Sequence, residues 1–182
     1  AWREYEKTRL IVSAAMYASL IAFAVIAGCY WVALRERMFA DYTCYLLSLI
    51  LFMTASAGLL YAAPGGVWLG RLGIHGQWAA ATAAIGFAVG FARDFLDIGR
   101  HAPRLLPTMD RLRTALLWSA VAIAAWPWPA SRFGIVVVIV LLAVNLLMIS
   151  LGVRAARARD RYGYYFLAGW IPLTVATSVR SI

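Results

Sequence analysis

Long apolar runs alternate with short charged or Pro/Gly-rich breaks along the chain, the clearest breaks being 35–37, 63–66 and 126–129. Each of six runs approaches the roughly 20 mainly apolar residues that a helix needs to cross a bilayer. The runs have the approximate bounds 10–34, 40–61, 77–95, 108–126, 133–153 and 164–179. The pattern therefore predicts six membrane-spanning helices.

The runs are typical of a helical bundle and not of a β-barrel. They show no period-two alternation, and they exceed the roughly 9–11 residues of a barrel strand. A helix also satisfies its own backbone polar groups, as a segment in lipid must. We see no inverted repeat of the kind found in many transporters. We predict an all-α, polytopic transmembrane bundle over residues 10–182, preceded by a juxtamembrane segment at 1–9.

The composition argues against three classes of soluble protein. Of the 182 residues 64% are hydrophobic and 14% charged, with a mean hydropathy of +0.77. Soluble domains are roughly 45–50% apolar, and a chain this short could not bury so large an apolar excess in water. A soluble enzyme, a disordered linker and a nucleic-acid-binding domain are therefore disfavoured.

The net charge of +9 becomes an orientation signal once the runs are placed. The first, third and fifth connections carry the arginines Arg35, Arg37, Arg93, Arg100, Arg104, Arg111, Arg113, Arg154, Arg157, Arg159 and Arg161. The second and fourth connections carry only Arg71 and Arg132. Basic loops lie in the cytoplasm, so we expect a periplasmic N-terminus. Six spans return the chain to the periplasm, and a cytoplasmic output domain would require a seventh helix after Ile182.

Aromatic residues gather near the ends of the runs, where a membrane protein places its interfacial belts. We expect an outer belt of Trp68, Trp78, Trp126 and Trp128. We expect an inner belt of Tyr30, Trp31, Tyr42, Tyr45, Tyr162, Tyr164 and Tyr165.

The chain offers little catalytic or metal-binding chemistry. None of its eight acidic residues lies in the middle of a run, which argues against a proton relay. The topology places His75 and His101 on opposite sides of the membrane. Cys29 and Cys44 form no CxxC pattern and are expected to be buried, free thiols. We predict no catalytic residue, no metal and no cofactor.

A few residues inside the runs are candidates for helix packing. Thr82, Gly86 and Gly90 repeat every four residues, a spacing that lets two helix backbones approach closely. We favour packing within the bundle over a dimer contact. Asn145 is expected to form a hydrogen bond across a helix interface, although a ligand contact is an alternative, and Pro172 to kink the sixth helix.

A charged segment follows the third run. Arg93 and Asp97 are four residues apart, and Asp97 lies within four residues of Arg100 and His101. These spacings predict a third helix that extends beyond the bilayer as a salt-bridged rod. A solvated connector that touches anionic lipid headgroups is the alternative. The candidate relay residues for a signal are Arg93, Asp97, Arg100 and Arg104.

A small ligand would fit best at the outer mouth of the bundle, because aromatic walls with a few polar groups are typical of small-molecule sites. The candidate ligand-binding residues are Trp68, Arg71, His75, Gln77, Trp78 and Trp126.

Four stretches, taken in order, resemble one family. They are YWVALRERMFADYTCYLLSLILF, the break after the second run, FARDFLDIGRHAPRL, and RAARARDR followed by GYYFLAGW. The residues that carry the resemblance are Phe91, Arg93, Phe95, Leu96, Pro103, Leu105, Phe166, Ala168 and Trp170. From about Ser13 to Thr177 the chain resembles the bacterial seven-transmembrane receptors with diverse intracellular signalling modules.

The resemblance implies a sensory receptor. Such receptors typically carry a periplasmic β-sandwich before the first helix. After the seventh helix they carry a cytoplasmic output, such as a GGDEF diguanylate cyclase of cyclic di-GMP signalling, a histidine kinase or a phosphatase. The present sequence shows six of the seven spans and no output motif. We therefore expect this chain itself not to be an enzyme, and any activity to belong to a longer parent.

We accordingly predict a multi-pass sensor module of the bacterial inner membrane. Its expected partners are membrane lipids, a small periplasmic ligand and, by analogy, a second copy in a homodimer, with no nucleic acid. The alternative from a different class is a non-signalling structural or lipid-binding subunit of a larger membrane complex. A carrier for neutral solutes is less favoured, since no broken-helix pair is visible.

Overall fold

The computed structural model describes residues 2–59, 73–125, 130–158 and 161–180, and these residues are almost entirely helical. The helices are α1 (Trp2–Leu34), α2 (Arg37–Ser56), α3 (Gly73–Phe95), α4 (Ile98–His101), α5 (Leu106–Ala125), α6 (Ala130–Arg157) and α7 (Arg161–Arg180), with a 3₁₀ turn at Pro103–Leu105. No strand occurs within the described ranges. The prediction of an all-α helical bundle is confirmed.

Each of the six predicted runs coincides with a helix of at least 20 residues. Among the described residues, three segments are long and apolar enough to cross a membrane, namely Ile11–Leu34, Arg37–Ser56 and Ile135–Arg157. The number of six spans stays a prediction for α3, α5 and α7.

Helix α3 lies at the centre of the bundle and contacts α2, α5 and α6. Its buried residues are mostly small: Ala79, Ala80, Ala81, Thr82, Ala84, Gly86, Ala88, Val89, Gly90 and Ala92. Small side chains allow neighbouring helices to approach α3 closely. A Cβ on Gly86 would lie 3.0 Å from Leu117 Cδ2 of α5, so this glycine packs against a helix of the same chain.

The outer faces of α1 and α6 are apolar and exposed. Their exposed side chains include Ile21, Phe23, Val25, Ile26, Ile135, Val136, Ile139, Leu142 and Leu146. A soluble monomer rarely exposes apolar patches of this extent. In a bilayer the same side chains face lipid tails at no cost, in agreement with the predicted membrane location.

The chain turns sharply after α3, and the prediction of a rod extending from the third helix is wrong. Helix α3 ends at Phe95, and Asp97 adopts a left-handed conformation with φ of +42° before the short α4 begins. The physical reason is burial, since Leu96 and Ile98 are only 1% and 3% exposed. A straight helix would carry both side chains out of the apolar core.

The predicted inner aromatic belt divides into two groups. Tyr30, Trp31, Tyr162, Tyr164 and Tyr165 are exposed, as a belt requires. Tyr45, by contrast, is 7% exposed and Tyr42 is half-buried, and both pack inside the bundle. In the outer belt Trp78 is half-buried, while Trp68, Trp126 and Trp128 lie outside the described residues.

Helices α6 and α7 approach each other most closely at Gly163. A Cβ at this position would lie 2.8 Å from the carbonyl carbon of Ala155 and 2.9 Å from its Cβ. Distances this short do not occur for real side chains, so the backbones must separate if Gly163 is replaced. Gly169, two turns later on α7, has no atom within 4 Å of its ideal Cβ.

We expect Gly163→Ala to lower the stability of the detergent-solubilised protein by about 1–3 kcal/mol, the usual cost of overpacking. Gly169→Ala is the matched control, and it should leave stability unchanged or raise it by up to about 1 kcal/mol. Thermal unfolding followed by circular dichroism measures both. Equal stability of the two variants would contradict the close approach of α6 and α7.

Candidate functional site

Charged residues of three helices meet at one end of the bundle. Asp41 lies in the second turn of α2, Arg93 and Asp94 in the last turn of α3, and Asp110 and Arg113 in the first two turns of α5. Because successive helices run in opposite directions, the start of α2, the end of α3 and the start of α5 come together. We call these five residues the charged network. The distribution of basic residues in the sequence predicts that this end faces the cytoplasm.

Asp41 and Arg113 form a buried ion pair between α2 and α5. Asp41 Oδ1 accepts a hydrogen bond from Arg113 Nη2 at 2.5 Å, and the two side chains are 4% and 16% exposed. Buried charges are tolerated only when they are paired, since removing one partner leaves the other without compensation. The pair therefore holds the beginnings of α2 and α5 at a fixed separation.

Gly90 of α3 provides the space for this pair. A Cβ at Gly90 would overlap Asp41 Oδ2 and lie 2.7 Å from Arg113 Nε. Both atoms are buried, and neither has a hydrogen-bond partner among the described residues. The absent side chain thus lets a carboxylate and a guanidinium lie directly against the α3 backbone, and it ties three helices to one position.

Arg93 forms the second link of the network. Its Nε and Nη2 donate to the two carboxylate oxygens of Asp94, at 2.6 and 3.0 Å, and its Nη1 donates to Asp110 Oδ1 on α5. This use of both edges of the guanidinium is the strong, directional mode of arginine binding. Arg93 therefore joins the end of α3 to the start of α5.

A group of stacked and tilted aromatic rings adjoins the charged network and extends the contacts to α7. We call it the aromatic cluster, and it consists of Tyr42, Tyr45, Phe91, Phe95, Phe166 and Trp170. Ring centroids are 4.8 Å apart for Tyr42 and Phe91, and 5.4 Å apart for the nearly parallel Phe166 and Trp170. Such pairs contribute about 0.5–1.5 kcal/mol each beyond burial. The cluster packs α7 against α2 and α3.

The predicted relay residues lie in different environments, one within the charged network and the others exposed. Arg93 lies within the charged network with a side chain 14% exposed, whereas Arg100 and Arg104 are exposed on α4 and the following turn. Asp97 lies beyond the end of α3. The i, i+4 geometry expected on one continuous helix therefore does not apply to Arg93 and Asp97.

The predicted outer ligand site is only partly described. Trp68, Arg71 and Trp126 lie outside the described residues. His75, Gln77 and Trp78 lie in the first turns of α3 and are half-buried, and Trp78 packs against the small core formed by Ala79, Ile123 and Val137. Ligand binding at this mouth stays a prediction.

The polar residues inside the predicted spans bond within their own helices. Asn145 Nδ2 donates to the carbonyl of Leu141 at 2.9 Å, one turn earlier on α6. The bond expected across a helix interface is thus replaced by one within α6, because a carbonyl four residues back is within reach of an amide. Buried Thr82 similarly donates to the carbonyl of Trp78.

A kink is predicted at Pro172 in the last helix. Helix α7 continues through this residue without interruption.

Metal-binding side chains are not grouped in the described part of the chain, where no cluster of three or more His, Cys, Asp or Glu residues could hold an ion. Both cysteines are free thiols, and Cys29 is exposed while Cys44 is half-buried. The sequence predicts that Cys29 is buried, and the structure shows that it is exposed.

The relay residues predicted from the sequence include Arg93 but not Asp41, Asp94, Asp110 or Arg113. The three acids stand near the ends of apolar runs, where side chains usually face solvent. A usable signal existed for Asp41, since it follows Phe39 and Ala40 and precedes a long apolar stretch. A lone acid next to such a stretch, one turn inside a helix that crosses the membrane, is expected to pair with a basic residue of another helix.

We expect Asp41→Asn and Arg113→Gln each to destabilise the solubilised protein by about 3 kcal/mol, because each strands a buried charge. The double variant should lose less than the sum of the two single losses, which a double-mutant cycle by thermal unfolding measures. Arg111→Gln, at an exposed position of α5, is the matched control and should change stability little. Strictly additive losses would show that the two residues do not interact.

Comparison with known proteins bears on this architecture directly. No curated protein and no solved structure matches the chain. The model of one family, described as 7TM diverse intracellular signalling, matches residues 9–182. This match covers nearly the whole chain and confirms the resemblance found in the sequence. The chain belongs to the 7TM diverse intracellular signalling family.

Proposed function

We propose that this chain is the membrane sensor module of a bacterial inner-membrane receptor. It passes a periplasmic or membrane-borne signal to a cytoplasmic output domain of the longer receptor, such as a diguanylate cyclase or a histidine kinase. Membership of a signalling family supports the receptor role in general terms. The direction of the signal and the kind of output are inferences of our own.

The observation that carries the proposal is the charged network together with the aromatic cluster. These two groups connect α2, α3, α5 and α7 at the end of the bundle that is predicted to face the cytoplasm. Ion pairs and stacked rings exist in discrete arrangements, so a helix that shifts must break one set of contacts before forming another. Packed elements of this kind switch between states and do not deform continuously.

The distribution of exposed arginines supports the proposed orientation. The described connections at this end expose Arg35, Arg37, Arg100, Arg104, Arg111, Arg154, Arg157 and Arg161. Arg93 and Arg113, by contrast, are paired with aspartates inside the bundle. Exposed basic residues at one end follow the positive-inside rule, so the N-terminus is proposed to be periplasmic.

The proposed input is a small ligand at the outer mouth, with His75, Gln77 and Trp78 as the described part of the site. A homodimer formed through the full-length receptor is proposed by analogy with signalling outputs that act in pairs. The alternative is a non-signalling structural or lipid-binding subunit, in which the charged network would serve stability alone.

The orientation predicts the behaviour of reporter fusions. Fusions of alkaline phosphatase after Ala102 or Ala158 should be inactive, whereas a fusion after Gly66 should be active, since the enzyme folds only in the periplasm. Green fluorescent protein at the same three sites provides the inverse control. Active phosphatase at Ala102 would overturn the proposed topology.

The signalling role predicts that Arg93→Gln, in the full-length receptor, changes basal output activity by about fivefold or more, the lower range of coupling between sites. The substitution removes the hydrogen bonds from Arg93 to Asp94 and to Asp110 of α5, and we expect this loss to shift the balance between bundle states. Cyclic di-GMP formation or histidine phosphorylation in isolated membranes measures the output.

The matched control is Arg111→Gln, which removes the same charge from an exposed position nearby and should leave output unchanged. Receptor amounts in the membrane are equalised by immunoblot. Normal output from Arg93→Gln at a normal membrane level would contradict the signalling role of the network and favour the structural alternative.

A further inference from the structure

A cavity of about 190 Å³ opens at the same end of the bundle, and no residue of the charged network lines it. It lies between the end of α3, the short α4 and the end of α6. Its wall includes Leu96, Leu151, Ala102, Ala155 and Ala158, and its one charged lining residue is Arg154.

The cavity exists because of the turn after α3. The left-handed conformation at Asp97 brings α4 across the end of α6, and the facing positions on both elements are alanines, Ala102, Ala155 and Ala158, which are too small to fill the space between them. Leu96 and Leu151 are 1% and 6% exposed, so the floor is part of the packed core and is rigid.

Arg154 is placed at the depth of lipid headgroups. It follows the uncharged stretch 135–153 of α6, a membrane-spanning segment with a mean hydropathy of 2.9. Its side chain is exposed, and the cavity wall provides no acidic residue to pair with it. A guanidinium in this position has the donor geometry that binds a phosphate through two parallel hydrogen bonds.

We propose that this cavity binds an anionic phospholipid, with Arg154 holding the phosphate and the alanine and leucine walls receiving the glycerol and upper acyl region. The charge of the surroundings favours such a ligand, since Arg100, Arg104 and Arg157 are exposed on the adjoining elements. Basic pockets between helices at the cytoplasmic surface are suited to anionic headgroups. The apolar wall favours a lipid over a free phosphate ion. This inference requires only the membrane location and not the signalling role.

The test uses purified protein in neutral detergent and native mass spectrometry with added dioleoylphosphatidylglycerol or dioleoylphosphatidylcholine. We expect the wild-type protein to retain phosphatidylglycerol in preference to phosphatidylcholine. Arg154→Gln should reduce retention by about fivefold, the usual effect of one basic residue at an anionic surface. Ala158→Leu, which fills the exposed side of the cavity, should reduce it while leaving the charge intact.

Arg157→Gln is the matched control, because Arg157 is an exposed arginine of the same helix end that does not line the cavity. It should retain phosphatidylglycerol as the wild type does, and Arg154→Lys should recover part of the binding. Equal losses from the Arg154 and Arg157 variants would overturn the site in favour of general surface charge. Equal retention of the two lipids, or displacement of the lipid by glycerol 3-phosphate at equal concentration, would also overturn it.

Discussion

The buried ion pair between Asp41 and Arg113 constrains every helix around it. Both charges lie away from solvent, at 4% and 16% exposure, and neither could remain there without the other. Their separation therefore sets the distance between α2 and α5. The pair also requires α3 to carry glycine at position 90, because a side chain there would occupy the same space as the carboxylate and the guanidinium. The buried residues of α3 are mostly small for the same reason, because larger side chains would not fit between α2 and α5 at this separation.

The charged network leaves part of its hydrogen-bonding capacity unused. Arg113 Nε and Asp41 Oδ2 are buried without hydrogen-bond partners among the described residues. The bond from Arg113 Nη2 to Asp41 Oδ1 therefore provides most of the interaction energy that offsets the desolvation of the two charges. Arg93 divides its donors between Asp94 and Asp110. The aromatic cluster links this end of α2 and α3 to α7, since Tyr45 and Phe95 contact the rings of Trp170 and Phe166.

Hydrophobic patterning predicted the helices well, because lipid exposure demands long apolar segments that are visible in any sequence. The family was recognisable for a related reason: Phe91, Phe95, Phe166 and Trp170, which carried the resemblance, are neighbours in the aromatic cluster. The site was much less predictable. Asp41 and Arg113 are 72 residues apart, and pairing over that separation depends on which helices become neighbours. The turn at Asp97 was missed because local charge spacing favours a continuous helix, whereas burial of Leu96 and Ile98 decides the outcome.

The most direct test of the account is the distance between α2 and α5 in the presence and absence of the ion pair. Spin labels at the exposed positions Leu51 and Val121, in a protein with Cys29→Ala and Cys44→Ala, allow this distance to be measured by double electron–electron resonance. We expect one narrow distance distribution with Arg113 intact, and a broadened or displaced distribution in Arg113→Gln. An unchanged narrow distribution in Arg113→Gln would contradict the claim that the pair sets the arrangement of the bundle.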